Sequence, residues 1–264
     1  MPINIKEIIE LVKTAAQKEI ISKLNNTASI KKDGSFVTEI DIAVQNMIQD
    51  KLFELTPEIP FFAEENSDQE LLAFLDNPPN RFWCLDPVDG TSNLVSRLPY
   101  FAISLALIEN GQTSLGIVYD PNRDECFVAQ KGQGAFLNNK QLHTSQTHFP
   151  LSRSLALVDL KRLPKPLLEK FILNQPYHSQ RSLGSVALDW CWLACDRFQV
   201  YIHGKQRLWD YAAGLLIAEE AGCYHIGMDK KDMFQLTLEP RQAIGAVDES
   251  LFKEWTDFIY RAIE

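Results

Sequence analysis

The chain contains no apolar run long enough to cross a bilayer: stretches such as Phe101 to Ile108 stop far short of the ~20 residues a spanning helix needs. It also lacks any block of lysine and arginine. Acidic residues outnumber basic ones 35 to 26 for a net charge of −9, so the electrostatic footprint of a general nucleic-acid binder is missing. Cysteine is scarce, and the five present (Cys84, Cys126, Cys191, Cys195 and Cys223) are odd in number, lack CxxC spacing and sit among apolar neighbours. That pattern argues against a disulfide framework and predicts reduced thiols in the core. Met1 to Ile20 has neither the basic start nor the unbroken apolar stretch of a signal peptide. Its charged and apolar residues interleave instead, which predicts an amphipathic helix of a cytoplasmic protein. No repeat, low-complexity tract or Pro/Gly linker divides the chain, which predicts one domain over residues 1–264.

What is present is an ordinary globular balance, 45% hydrophobic and 23% charged, enough for one large domain or two lobes sharing a cleft. Apolar residues recur at helical spacing in 4–24 and again in 40–55, through Ile40, Val44, Met47, Ile48 and Leu52. Strand-like runs follow at Phe82–Leu85, Ala102–Leu107, Leu115–Tyr119 and Cys126–Ala129, separated by Gly, Pro, Asn or Asp, as in a mainly antiparallel sheet. Beyond Pro150 the pattern predicts strands at 155–160 and 198–202 and helices at 165–173, 185–195, 209–221 and 249–263. A meander followed by alternating helices and strands fits an α+β or layered α/β architecture, its two lobes meeting near residues 145–180.

The segment Trp83-Cys84-Leu85-Asp86-Pro87-Val88-Asp89-Gly90-Thr91-Ser92-Asn93 carries the most chemistry. An apolar strand runs into two carboxylates three residues apart, and Gly90-Thr91-Ser92 then opens a short helix. Hard cations take carboxylate and carbonyl oxygens, and N–H groups at a helix start take an anion, so one turn can hold metal and phosphate together. A tight turn capped by its own Asp side chains is the alternative. Two further acidic sites lie elsewhere in the chain: Glu64-Glu65 after Phe61-Phe62-Ala63, and Asp210 in Trp209-Asp210-Tyr211-Ala212-Ala213-Gly214. Alone, the pair reads as a solvated turn and Asp210 as a helix cap.

Together these motifs resemble the inositol monophosphatase family. Asp86 to Asn93 is similar to its DP(I/L/V)DGTxN signature, and Trp209-Asp210 with Ala212-Ala213-Gly214 and Glu220-Ala221-Gly222 is similar to WDxAAGxxIxxEAGG. Ala63-Glu64-Glu65 stands where the family has Gly-Glu-Glu, and Asp33 to Asp41 resembles a Lys/Asp-x-VTxxD segment. The resemblance covers nearly the whole chain. It implies a layered α-β-α-β-α sandwich (the sugar phosphatase fold) and a cytoplasmic, lithium-sensitive, homodimeric, Mg2+-dependent phosphomonoesterase; charge and the lack of a spanning run predict neither direct nucleic-acid nor membrane contact. Its substrate would be inositol monophosphate or a similar small polyol or sugar phosphate. Carried over, it makes Glu64, Asp86 and the Val88 carbonyl ligands of one Mg2+, and Asp86, Asp89 and Asp210 ligands of a second; the family's third, weaker ion leaves the count at two or three. It assigns catalytic roles to Thr91, Asp41 and Glu64, with the Thr91 hydroxyl oriented by Asp41 toward the attacking water. Gly90, Thr91 and Ser92 would hold the phosphate, while Gly184, Ser185, Val186, His203 and Asp210 would meet the alcohol. Thr38 to Asp41 equally fits a capping box, which leaves Asp41 both readings.

His203 departs from the family pattern, because members acting on inositol phosphate usually carry a glutamate there. A neutral histidine offers one acceptor nitrogen and a charged one none, so it cannot accept two hydroxyls as a carboxylate does. With Lys205 and Arg207 close in sequence, this predicts either a broad phosphatase or one tuned to a substrate with a second anionic group, unless His203 turns away and packs the strand end. Three other readings share the motifs: a 3′(2′)-phosphoadenosine-type nucleotidase, another sugar-phosphate phosphatase, and a noncatalytic relative that binds phosphate or a regulatory partner. His143, His148, His178 and His225 lack metal-ligand spacing and read as structural or surface residues.

Overall fold

The computed structural model describes residues 3–26, 35–144 and 150–263, which leaves Asp33 and His148 outside the described residues. The chain opens with α1 (Ile5–Ala15), whose Ile8, Leu11, Val12 and Ala15 bury one stripe. A π-helical turn, Ala16–Ile21, leads on into α2 (Ser22–Asn26), so the stretch expected as one regular helix is three joined segments. The extra residue of a π turn rotates the buried face and lets Ala16 and Ile20 continue it. Next comes α3 (Ser35–Leu55), five residues longer at its start than the periodicity predicts.

Strands β1 (Phe61–Ala63), β2 (Arg81–Asp89), β3 (Ala102–Glu109), β4 (Gln112–Asp120), β5 (Glu125–Gln130), β6 (Ala135–Leu137) and β7 (Lys140–Leu142) form one sheet in sequence order. All its pairings are antiparallel except β1 with β2. Helices α4 (Asp68–Asp76) and α5 (Thr91–Val95) sit in its connections. A second sheet has the order β11 (Tyr224–Gly227), β12 (Arg241–Ala246), β10 (Val200–Gln206), β8 (Leu155–Asp159) and β9 (Ser179–Arg181). Around it lie α6 (Lys165–Leu173), α7 (Val186–Ala194), α8 (Leu208–Ala221) and α9 (Glu249–Ile263).

Alternation along β2 divides the core. Trp83 and Leu85 join Ile103, Leu105 and Ile117 against α1 and α3, while Phe82 and Cys84 face α7, α8 and the inner side of the second sheet. The outer side of that sheet is covered through Leu167, Phe171, Leu251, Trp255 and Ile259 of α6 and α9. The result is five layers, helix, sheet, helix, sheet, helix, as the resemblance implies. Four of the five cysteines are buried, Cys195 is half-buried, and all are free thiols.

The central helix layer fits only because its contacts are small. A Cβ built on Gly116 of β4 would stand 2.6 Å from the Ala213 carbonyl oxygen of α8, and one on Gly214 would stand 2.9 Å from Trp190 Cβ of α7. This close approach brings the start of α8 to the end of β2. Gly116→Val should therefore lower stability by about 1–3 kcal/mol, the usual cost of overpacking. An unchanged urea midpoint would show that α8 does not depend on this contact.

Candidate active site

At the end of the first sheet, β1 runs parallel to β2 with Ala63 opposite Leu85, and the Glu64 N–H donates to the Leu85 carbonyl at 3.1 Å. Glu64 therefore emerges beside Asp86. In a regular strand Asp86 and Asp89 would point to opposite faces, since their spacing is odd. Here Asp86 pairs with Ser104 and Asp89 with Ala102, so β2 carries one extra residue between them. That bulge returns both carboxylates to the face toward α7 and α8. The strand ends at Gly90, whose φ is +98° and whose added Cβ would meet Tyr100 O at 3.0 Å and Phe101 Cβ at 3.1 Å. Only glycine can make this turn into α5.

Internal bonds hold the acidic residues in place. Asp86 Oδ1 accepts from the Val88 N–H at 3.0 Å, and the Thr91 hydroxyl donates to the Val88 carbonyl at 3.0 Å. Asp89 Oδ2 accepts from the Ser185 hydroxyl at 2.6 Å and the Ala187 N–H at 2.7 Å. Asp210 Oδ2 accepts from the Arg207 N–H at 2.8 Å. Asn93 Nδ2 donates to Tyr100 O and Leu183 O, both at 2.7 Å, tying the Gly90 turn to the loop that carries Gly184.

Burial and mutual repulsion set the electrostatics. Burial, followed by Glu65 and Glu64, pushes Asp41 up to about 8. Burial pushes Glu64 up to about 7, although the Asp86 carboxyl within proton-sharing reach pulls it back. Asp86 is raised well above the carboxylate range by burial and then by Glu64, Asp89 and Asp210. Asp210 is raised by burial and then by Asp89. Asp89 rises to about 6 through burial, opposed by the Ser185 and Ala187 bonds.

A cleft of about 370 Å³ opens over this cluster, lined by Asp89, Gly90, Thr91, Ser92, Asn93 and Asp210 on one side. Gly184, Val186, Asp189 and His203 also line it, whereas Ser185 is fully buried and serves as the N-cap of α7. Ser185 therefore acts by positioning Asp89. Asp41 lies within α3, past its first turn, so the capping-box reading does not hold for it. The single Thr91 proton is directed at Val88 O rather than at Asp41. Neither Lys205 nor Arg207 lines the cleft; its cations are Lys161, Arg162 and Arg181.

His203 neither turns away nor offers a free acceptor. Its Nδ1 accepts from the Lys205 N–H at 3.1 Å, and its Nε2 lies 3.2 Å from Asp159 Oδ2. Burial lowers it to about 4, against the opposing pull of Asp159, so at neutral pH it is uncharged with its proton on Nε2, donating to Asp159. Sequence reasoning missed Asp159. The signal was nonetheless available, since Leu155–Asp159 is a second apolar strand ending in an acid, built like Trp83–Asp86.

The donors at the cluster are all oxygen, and their raised pKa values mark negative charge that the protein leaves largely uncompensated. Both features suit a hard divalent cation. Among the described residues no three His, Cys, Asp or Glu side chains stand ready-made around one ligating point; Asp89 and Asp210 are instead turned to their internal partners.

Fold and site together define a phosphatase-like sandwich, and comparison with known proteins gives the family. The family description "Inositol monophosphatase family" matches residues 4–262, and the chain belongs to that family. It is 34% identical over 200 residues to the Nus factor SuhB of Escherichia coli K12, covering 74% of this chain and 73% of that one. It is 35% identical over 199 residues to a fructose-1,6-bisphosphatase/inositol-1-monophosphatase of Thermotoga maritima, covering 73% and 72%. A solved Thermotoga maritima IMPase superposes with a TM-score of 0.81 at 28% identity, over 98% of this chain and 97% of that one.

The carboxyls of Asp41, Glu64 and Asp89 have folded pKa values of about 8, 7 and 6, above their ordinary 3.8 to 4.5. The folded state then binds more protons than the unfolded one, so in chelator the stability they contribute is full below about pH 4 and is lost as pH rises toward 8. Thermal unfolding in EDTA from pH 5 to 8 should show this fall and Mg2+ should reverse it; a rise in Tm without Mg2+ would contradict the charge assignment. His203→Glu would set a carboxylate against Asp159 and should destabilise the fold by about 1–3 kcal/mol through burial of unpaired charge. An equal urea midpoint would refute the His203–Asp159 pairing.

Proposed function

We propose that this chain is a Mg2+-dependent phosphomonoesterase acting on inositol monophosphate or a similar small polyol or sugar phosphate. The observation that supports this reading most is the bulge in β2, which aims Asp86 and Asp89 to one side, next to Glu64 and Asp210. Glu64, Asp86 and the Val88 carbonyl would hold one ion, and Asp86, Asp89 and Asp210 a second. Such a pair supplies Lewis acidity toward phosphoryl oxygens and the positive charge that lets an anionic ester enter an acidic cleft.

The remaining work falls to the protein. The N–H groups of Gly90, Thr91 and Ser92, which precede the first intrahelical bonds of α5, bind phosphate oxygens. Ser185 and the Ala187 N–H orient Asp89, and the Arg207 N–H orients Asp210. The Thr91 hydroxyl holds its proton toward Val88 O and presents its lone pairs to a water in the cleft. Asp41 and Glu64 would take that water's proton: burial and neighbouring acids raise both above the ordinary carboxylate range, and a bound cation would bring Glu64 back down. We read residues 1–264 as one catalytic unit, working in the cytoplasm as a lithium-sensitive homodimer.

A second reading, a partner-binding regulatory relative, is favoured by the similarity to a Nus factor. Phosphate release from a monoester panel with and without Mg2+ separates the two. Asp86→Asn should reduce turnover by ~10²-fold or more and abolish the Mg2+-induced rise in Tm; turnover within about tenfold of the parent would sink the ligand assignment. Thr91→Ala should lower kcat by ~10²–10⁴-fold with little change in KM, as expected for a group acting on the water. A change confined to KM would make Thr91 a binding residue.

A further inference from the structure

The part of the cleft lining that the second sheet supplies is basic, although the chain carries a net charge of −9. Three of its lining residues, Lys161, Arg162 and Arg181, are cations from two neighbouring elements of the second sheet. Lys161 and Arg162 belong to the 3-10 turn Leu160–Arg162 that follows β8, and Arg181 ends β9, where it pairs with Leu157. The turn is seated on β10 at Gly204, where an added Cβ would stand 2.1 Å from Arg162 O. No other residue allows that approach, so glycine here fixes where the two cations sit.

Arg162 Nη1 donates to Lys205 O at 3.2 Å, and Arg181 Nη1 donates to Ser179 Oγ at 2.8 Å and Gln180 O at 2.6 Å. These bonds hold the guanidinium groups while using a minority of their five donors each. The one acid on this wall outside the metal-ligand set and Asp189 is Asp159, whose Oδ2 faces His203 and whose Oδ1 accepts weakly from the Lys161 N–H at 3.3 Å. Each oxygen keeps a lone pair for a hydroxyl. A cleft of about 370 Å³ is within the range of small-ligand sites.

We infer that Lys161, Arg162 and Arg181 form a rim site for a second anionic group on the alcohol half of the substrate, while Asp159, held by neutral His203, accepts a neighbouring hydroxyl. This rests on the phosphomonoesterase reading above and names the substrate class within it: a phosphate ester of a hydroxylated alcohol that also bears a phosphate or a carboxylate. Planar guanidinium groups suit either anion through paired N–H donors.

The test compares fructose 1,6-bisphosphate with fructose 6-phosphate, and 2-phosphoglycerate with glycerol 2-phosphate, using the full chain with Mg2+. At least one doubly anionic ester should show kcat/KM about tenfold or more above its partner, a size typical of one or two charge-assisted bonds. The pair that shows it tells phosphate from carboxylate. The ratio should fall toward unity in the variant K161Q/R162Q/R181Q and fall partway in R181Q alone, which guards against misfolding of the triple variant. Equal kcat/KM within both pairs, or a ratio that survives R181Q and the triple change, overturns the rim site. If no monoester is hydrolysed, the phosphomonoesterase reading fails on its own. The rim is then judged by calorimetric affinity for fructose 1,6-bisphosphate against fructose 6-phosphate: tighter binding lost in R181Q keeps it, and equal binding removes it.

Discussion

Burying carboxylates that repel one another is the constraint on which the rest of the structure turns. Asp86 is 2% exposed and Asp89 8%, and each faces acids within interaction range. A buried charge without a partner is among the costliest features a fold can hold, and proteins relieve it by protonation, by hydrogen bonds or by a cation. The first two are visible here, and the third is what the donor set suits. Glu64 and Asp86 stand close enough to share a proton, Ser185 and Ala187 bond Asp89, and the remaining charge suits a divalent ion.

The scaffold answers that constraint by rigidity. The bulge of β2 and the left-handed Gly90 set the direction of the two carboxylates, and the Asn93 bond to Leu183 O joins their turn to the Gly184 loop. Gly116 and Gly214 let α8 lie close to β4 and α7, which fixes the height of Asp210 against Asp89. Small residues far from the cleft thus decide the distances inside it, which is why the Ala212-Ala213-Gly214 run matters as much as the acid two residues before it.

Much of this was legible in the sequence, and the exceptions have physical reasons. The long helices and the strands at 102–107 and 115–119 carried clear periodicity, because one face or both faces pack against another layer. Short strands at the sheet margins, β6, β7 and β9, carried none, being three residues each and stabilised by pairing with neighbours rather than by their own pattern. The site acids were marked by motif, yet the roles of Ser185 and His203 were not. Whether a side chain faces a ligand or an internal partner depends on cross-strand register, and here Ser185 turns to Asp89 while His203 turns to Asp159. Asp159 had a sequence signal in the acid that ends an apolar strand, but only the parallel pairing of β8 with β10 sets it opposite His203 at the cleft.

The carboxylate cluster also bears on whether a relative similar to a Nus factor has reason to keep a phosphatase centre. A chain that needed only its outer surface for a partner would gain stability by losing any one of these acids, since replacing a repelled, buried carboxylate by a neutral residue of similar volume removes a destabilising charge. Glu64, Asp86, Asp89 and Asp210 are all present, together with the Ser185 and Arg207 bonds that orient two of them. Sites that hold such strain are the ones where stability is exchanged for function. That balance is what the proposed cation-dependent centre would require, and under that reading partner binding would be an addition on the outer surface.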